Sequence, residues 1–314
     1  MKIAFLFPGQ GSQAVGMGRA FAESSPAAAA VWSRADDAVG FRLSRLCFEG
    51  PEEELALTAN TQPAILTASV AAAAVLSERG IAPDLCAGHS LGEYSALVVT
   101  GALGFADAVR LVRKRGEFMQ EAVPVGTGAM AALMGIDAET AEKVCAEAAR
   151  GEVVNVANIN SPGQIVIAGH RAAVERAVAA AAALGSKKGV LLPVSAPFHS
   201  ALMKSAADRL AGELERVSVH APRVPVVRNV DAGITTTADD VKPFLVRQVA
   251  SPVRWTDCLG VLAREGATTW LEVGPGRVLT GLLKRTVEGA RGQAVEDPDS
   301  LEKVAAALAG GPTA

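Results

Sequence analysis

Ser90 stands in the stretch Gly88-His89-Ser90-Leu91-Gly92, with one glycine two positions before it and another two after. Glycines at that spacing let a chain turn so sharply between a strand and a helix that the serine hydroxyl projects above a sheet, as an activated nucleophile requires. The alternative is a tight strand-to-helix turn in which Ser90 merely caps the helix. A nucleophilic serine needs a base, and the chain has four histidines: His89, His170, His199 and His220. Adjacent side chains on such a turn diverge, so His89 is predicted to pack beneath the turn rather than serve as its base. His170 opens a helix just after Gly169, and His220 lies in a mixed segment before Pro222; both read as structural or exposed. His199 follows Pro197-Phe198, where the chain passes between two predicted units, which places it on a cleft. It is the expected general base, against the alternative of a core histidine with satisfied hydrogen bonds.

A third residue adds specificity. Ala108, Val112, Arg115 and Met119 fall on one face of a predicted helix, while Arg110, Arg113, Lys114 and Glu117 fall on the opposite one. Arg115 therefore points inward, and a buried guanidinium needs an anion. That anion is either an internal carboxylate or the carboxylate of a substrate held in a bidentate clamp. An enzyme that attacks a carbonyl while gripping a carboxylate handles an acidic acyl group. The glycine-rich stretch Gly9-Gln10-Gly11-Ser12-Gln13 lacks the Gly-Lys-Ser/Thr ending of a phosphate loop.

These residues must be positioned by a scaffold, and the sequence predicts an α/β one. Ile3–Phe7 reads as a buried strand ended by Pro8-Gly9, with a polar loop and a helix through about Phe21. A helix over 63–79, a strand over 83–88 entering the serine turn, and helices over 91–100 and 105–120 follow. Strands and helices alternating in this way argue for a parallel sheet covered on both faces. From Gly128 the order becomes strand 129–136, helix 138–150, strand 153–159, turn 160–163, strand 164–168, helix 172–184 and strand 189–194, which is βαββαβ, a ferredoxin-like unit. Strands near 223–229 and 269–273 return to the first pattern. The expected architecture is a large α/β-hydrolase-like domain with a parallel sheet (1–126 and 196–290), a small ferredoxin-like insert (127–195) and a tail with one short helix (291–314). A pocket between the two units is the natural site.

With 314 residues, 50% hydrophobic and 20% charged, the chain can bury a full core. Its formal net charge of -3 gives no general reason to expect nucleic acid as partner. The four cysteines at 47, 86, 145 and 258 have no metal-ligand spacing and read as reduced, buried thiols of a cytoplasmic protein. No metal or resident cofactor is expected. The apolar run at the N-terminus is too short for a signal segment, and no 18-residue stretch is both charge-free and strongly apolar, so no membrane span is expected; the Ala-rich run 64–76 reads as a buried helix.

The stretches FPGQGSQ at 7–13, TQPA at 61–64, GHSLGEYSA at 88–96, NSPGQIVIAG at 160–169, APFHS at 196–200, RQVASPVRW at 247–255 and LEVGPGRVLTGL at 271–282, with the helix bearing Arg115, resemble in content and order the malonyl-CoA:acyl carrier protein transacylase family. The resemblance covers almost the whole chain. It implies a two-step transfer through an acyl-serine: Ser90 attacks the coenzyme A thioester, His199 removes its proton, and the phosphopantetheine thiol of an acidic acyl carrier protein then takes the acyl group. It further implies an oxyanion hole from the backbone N–H groups of Gln10 and Leu91, a backbone carbonyl at Gln248 in place of the usual triad carboxylate, and Gln62 lining the acyl pocket. Phe198, by the same resemblance, closes the space an α-methyl branch would need and so favours unbranched malonyl, in fatty acid or polyketide synthesis. Lys187, Lys188, Arg113 and Lys114 form a candidate docking patch for the carrier, or else a solvated surface. A monomer is expected. A thioesterase or esterase, or a non-catalytic carrier-binding protein, are the competing functions.

Overall fold

The structure is a computed structural model that describes residues 1–194 and 196–309; the expected domain boundary at 195 and the last five residues of the expected tail lie outside them. Two sheets organise the chain. The larger has six strands in the order Gly292–Val295, Thr269–Val273, Ile3–Phe7, Leu85–Gly88, Val226–Val227, Ile234–Thr235. Every neighbouring pair is parallel except the last. Its central strands, Ala-Phe-Leu-Phe at 4–7 and Leu-Cys-Ala-Gly at 85–88, are buried on both faces, as apolar runs without alternation demand. One face packs on the large core that includes Phe5, Phe7 and Leu66, and the other on a second core around Leu6, Trp255 and Leu259.

The smaller sheet is wholly antiparallel, in the order Val154–Ser161, Gln164–His170, Gly128–Met134, Lys188–Leu191. Helices Ala138–Ala149 and Arg171–Ala183 cover one face and share with it a separate core around Leu133, Val144 and Ile167. The two sheets are joined by more than chain connections, because Ile159 N–H donates to the Val253 carbonyl and Val253 N–H to that of Ala157, both at 2.9 Å.

Three readings need correction. The helix expected to begin at Pro63 begins at Thr58, with Pro63 inside it. Proline favours the first helical position, but here one unmade backbone bond is tolerated in a helix that is buried over most of its length. That helix, Thr58–Glu78, has the length and a hydropathy of 1.2 that could cross a membrane, yet 83% of its apolar window is buried inside the protein. The segment read as tail carries the expected helix, Pro298–Ala309, but also contributes the edge strand Gly292–Val295; four residues of Gly-Gln-Ala-Val are too few to carry a readable period. The strand expected near 223–229 shrinks to Val226–Val227, since Pro225 lies within that span and cannot donate to a ladder.

Candidate active site

The turn after Leu85–Gly88 is built by contacts that exclude side chains. A Cβ on Gly88 would fall 1.9 Å from the backbone of Gly92, and one on Gly92 would fall 2.1 Å from the Phe7 carbonyl oxygen. Ser90 itself adopts φ 51°, the left-handed region that costs a side-chain-bearing residue energy and is kept where surrounding structure enforces it. Asn229 supplies that enforcement: its Oδ1 accepts from Ser90 N–H at 2.7 Å and its Nδ2 donates to the Gly88 carbonyl at 2.8 Å. The helix Gly92–Val99 carries the chain away from the turn.

Ser90 Oγ lies 2.7 Å from His199 Nε2. The other ring nitrogen, Nδ1, lies 2.9 Å from the Gln248 backbone carbonyl. A carbonyl only accepts, so Nδ1 carries the hydrogen and Nε2 faces the serine with its lone pair free. His199 is buried, and burial followed by the positive charge of Arg115 pushes its pKa down to about 3. It is therefore neutral, the form a base needs, throughout the neutral range. His199 also adopts a left-handed backbone, φ 59°, and its carbonyl accepts from Asn155 Nδ2 at 3.2 Å. His89 turns away from Ser90: its Nε2 meets Asn160 Oδ1 at 2.9 Å and its ring packs edge-on to Trp255.

Arg115 faces inward as its spacing predicted, with 2% exposure on the helix Phe105–Glu121. Its guanidinium donates to Gln62 Oε1 at 2.9 Å, to Gln248 Oε1 at 3.0 Å and to Ser90 Oγ at 3.1 Å, and stacks over the Tyr94 ring. All three acceptors are neutral, and its Nε has no acceptor among the described residues. The internal-carboxylate alternative thus fails as a direct pair, leaving a desolvated cation beside the nucleophile. Leu91 N–H and Gln10 N–H likewise have no intramolecular acceptor among the described residues. Gln10, Gln62, Ser90, Leu91, Arg115, Phe198 and His199 all border one cleft, whose apolar walls include Met130, Val166 and Leu192 of the small sheet's side and Leu279 and Leu282 of the large one's.

A serine, a neutral imidazole and an unneutralised guanidinium around one cleft restrict the kinship sharply. Residues 4–305 match the acyl transferase domain family. The chain belongs to that family. It is 54% identical over 301 residues to the malonyl CoA-acyl carrier protein transacylase of Escherichia coli K12, spanning 96% of this chain and 97% of that one. The Bacillus subtilis protein of the same name is 51% identical over 302 residues, 96% and 95% of the two chains. Among solved structures, an acyl carrier protein S-malonyltransferase from Vibrio cholerae superposes with a TM-score of 0.95 at 49% identity, covering 97% of this chain and all of that one. A malonyl-transacylase solved in complex with its type II PKS acyl-carrier protein gives 0.95 at 49% identity, covering 98% and 99%. Within this acyl transferase, the arrangement of acceptors around Arg115 is what the sequence hid.

Gln248 was expected to contribute its backbone carbonyl, but its side chain also holds Arg115. Glu93 and Asn229 were not singled out, although both are buried beside the site. Glu93 carried a signal: a carboxylate inside the otherwise apolar helix Gly-Glu-Tyr-Ser-Ala-Leu-Val-Val has to be buried with partners. The candidate docking patch divides. Lys187 and Lys188 are exposed at the start of the small sheet's edge strand, whereas Arg113 and Lys114 pair with Glu117 and line a groove with Val39 and Glu213, away from the cleft. His170 Nδ1 accepts from Val153 N–H, a structural role within the small unit.

Proposed function

We propose that the chain transfers the malonyl group of malonyl-CoA to the phosphopantetheine thiol of an acyl carrier protein through an acyl-Ser90 intermediate. The names of its relatives support the donor and acceptor, and the observation that carries the reading is a single hydroxyl held at once by His199 and Arg115. His199 Nε2 takes the Ser90 proton as Oγ bonds to the thioester carbon. The negative oxygen so formed is held by Leu91 N–H at the helix start and Gln10 N–H in the loop after Pro8-Gly9, a contribution of about 10²–10³ in rate per donor. Collapse breaks the carbon–sulfur bond, and His199 returns the proton to the departing coenzyme A thiolate. The second half runs in reverse with the carrier thiol as nucleophile. Arg115, drawn from its neutral acceptors, binds the malonyl carboxylate, and the Gln248 carbonyl holds His199 in the productive tautomer as the imidazolium forms.

Phe198, only 8% exposed on the cleft wall, supports an unbranched acyl group. The large parallel sheet with its serine turn supports the hydrolase-like description, and the small sheet, whose strands in chain order lie 2-3-1-4, supports the ferredoxin-like one. Four free, buried cysteines support a reducing compartment, the cytoplasm. Incubation with labelled malonyl-CoA and mass measurement tests the reaction. A malonyl adduct on Ser90, discharged by holo carrier protein and absent in Ser90→Ala, is expected. Rapid release of free malonate without transfer would establish a hydrolase instead.

A further inference from the structure

Behind Arg115 lies a second layer of polar groups that the reaction itself does not use. Gln248 Nε2 sits among three acceptors, Glu93 Oε2 at 2.8 Å, the Ser90 carbonyl at 3.0 Å and Asn229 Oδ1 at 3.2 Å. The same Glu93 oxygen accepts from Asn229 N–H at 2.9 Å. Acceptors crowding one end of an amide leave only the other end, Oε1, to face the guanidinium. Glu93 is 2% exposed and Gln248 fully buried, so solvent cannot substitute for a lost partner.

We infer that Glu93 is a positioning residue for the acyl-carboxylate site: its carboxylate locks the Gln248 amide, and the locked amide aims Arg115 at the substrate. This rests on the malonyl-transfer reading above. A rotated Gln248 would present its NH₂ group to Arg115, donor against donor, and push the guanidinium off its aim. The backbone carbonyl of Gln248 would still hold His199, so the defect falls first on recognition of the carboxylate, with a smaller effect on Ser90, whose carbonyl and hydroxyl meet Gln248 Nε2 and Arg115. Burial raises the Glu93 pKa to about 7, against the opposing pull of Asn229, Gln248, Arg115 and Arg228. The groups facing it are Arg115 and Arg228 from neighbouring elements, Tyr94 on its own helix and the Cys258 thiol. As pH falls through that value the carboxylate gains a proton and its hold on the amide slackens.

The test compares malonyl-CoA with p-nitrophenyl acetate, a neutral ester that reacts at the Ser90 hydroxyl but carries no carboxylate for Arg115 to bind. In Glu93→Gln, kcat/KM for malonyl-CoA is expected to fall roughly 10- to 100-fold, mostly through KM, the scale of one charge-assisted hydrogen bond. The ester burst is expected to change by less than about 3-fold. In a Gln248→Met background, which keeps the backbone carbonyl but lacks the amide, the same Glu93 change should add almost nothing. Equal losses for both donors, no loss for malonyl-CoA, or full additivity with Gln248→Met would each overturn the proposal. Should Glu93→Gln fail to fold, Glu93→Asp still decides: its shorter side chain keeps the charge but withdraws from the Gln248 amide, so KM for malonyl-CoA is expected to rise while the ester burst does not, and an unchanged KM overturns the proposal. If the unmodified protein forms no malonyl adduct, the transfer reading itself has failed, a result distinct from any of these.

Discussion

At Ser90 the hydroxyl has two charged or chargeable neighbours, an imidazole 2.7 Å away and a guanidinium 3.1 Å away. Only the imidazole is needed to make a nucleophile. The guanidinium is costly to bury, with its pKa lowered by desolvation, and is worth keeping only for a ligand that neutralises it. Arg115→Ala should therefore reduce malonyl loading of Ser90 by roughly 10²-fold or more, the loss of a bidentate charge-assisted contact. Loading by neutral acyl thioesters such as acetyl-CoA should be retained or improved; an unchanged malonyl-to-acetyl ratio would count against the clamp. Ser90, His199 and Arg115 were legible because each carries a local signal: flanking glycines, a position at a unit junction, and helical phase. Asn229 was not, and Glu93 was legible only as a carboxylate that must be buried, because their partners lie 136 to 155 positions away. Sequence spacing cannot report which buried amide a carboxylate will meet.

At the scale of elements, strands with strong apolar runs were read closely, and Thr269–Val273 to the residue. Short edge strands such as Ile234–Thr235 and Gly292–Val295 were missed because two to four residues owe their state to a neighbour in the sheet rather than to their own pattern. One element bears directly on the cleft. Glu272, fully buried at the end of the strand Thr269–Val273, accepts from Leu279 N–H at 2.9 Å and Thr280 N–H at 2.7 Å. It thereby caps the helix Val278–Thr286, whose Leu279 and Leu282 form one wall of the site. Glu272→Ala strands those two donors and should cost about 1–3 kcal/mol for a buried unsatisfied group. Thermal unfolding would show this as a lowered midpoint, together with a raised KM for the thioester. A loss confined to stability would mean the cap does not shape the cleft.

The whole molecule places its site where two cores meet, and hydrogen bonds tie that meeting together: the Val253 strand bridge, His89 with Asn160, Asn155 with the His199 carbonyl and the Ala201 N–H, Thr256 Oγ1 donating to the Ile159 carbonyl, and Arg285 Nη1 donating to Gln164 Oε1 at 2.8 Å. Many of the ion pairs, by contrast, are exposed contacts one helical turn apart that add little to stability. Buried titratable groups should then dominate the response to pH. His199 and His89 have pKa values lowered by burial from 6.5, so their stabilisation is complete above 6.5 and is lost as pH falls into the acid range. Glu93 and Glu272 run the other way. Burial raises both from 4.5 to about 7, so their contribution is complete below 4.5 and is lost as pH rises toward 7. Between about pH 6.5 and 4.5 the gains of the two carboxyls oppose the losses of the imidazoles, each at up to ~1.4 kcal/mol per pH unit. Below 4.5 the carboxyl gains are complete, and the losses at His199 and at Asp137, Asp231 and Asp297, whose pKa values the fold lowers, should make stability fall. Glu272→Gln removes one carboxyl from this balance. Relative to the unmodified protein, the variant should be more stable at pH 8 than at pH 5, so as pH falls from about 7 toward 4.5 its urea midpoint should drop against that of the unmodified protein. Parallel midpoint curves for the two proteins across that range would mean that Glu272 takes up no proton on folding, and that the buried carboxyls do not balance the histidines.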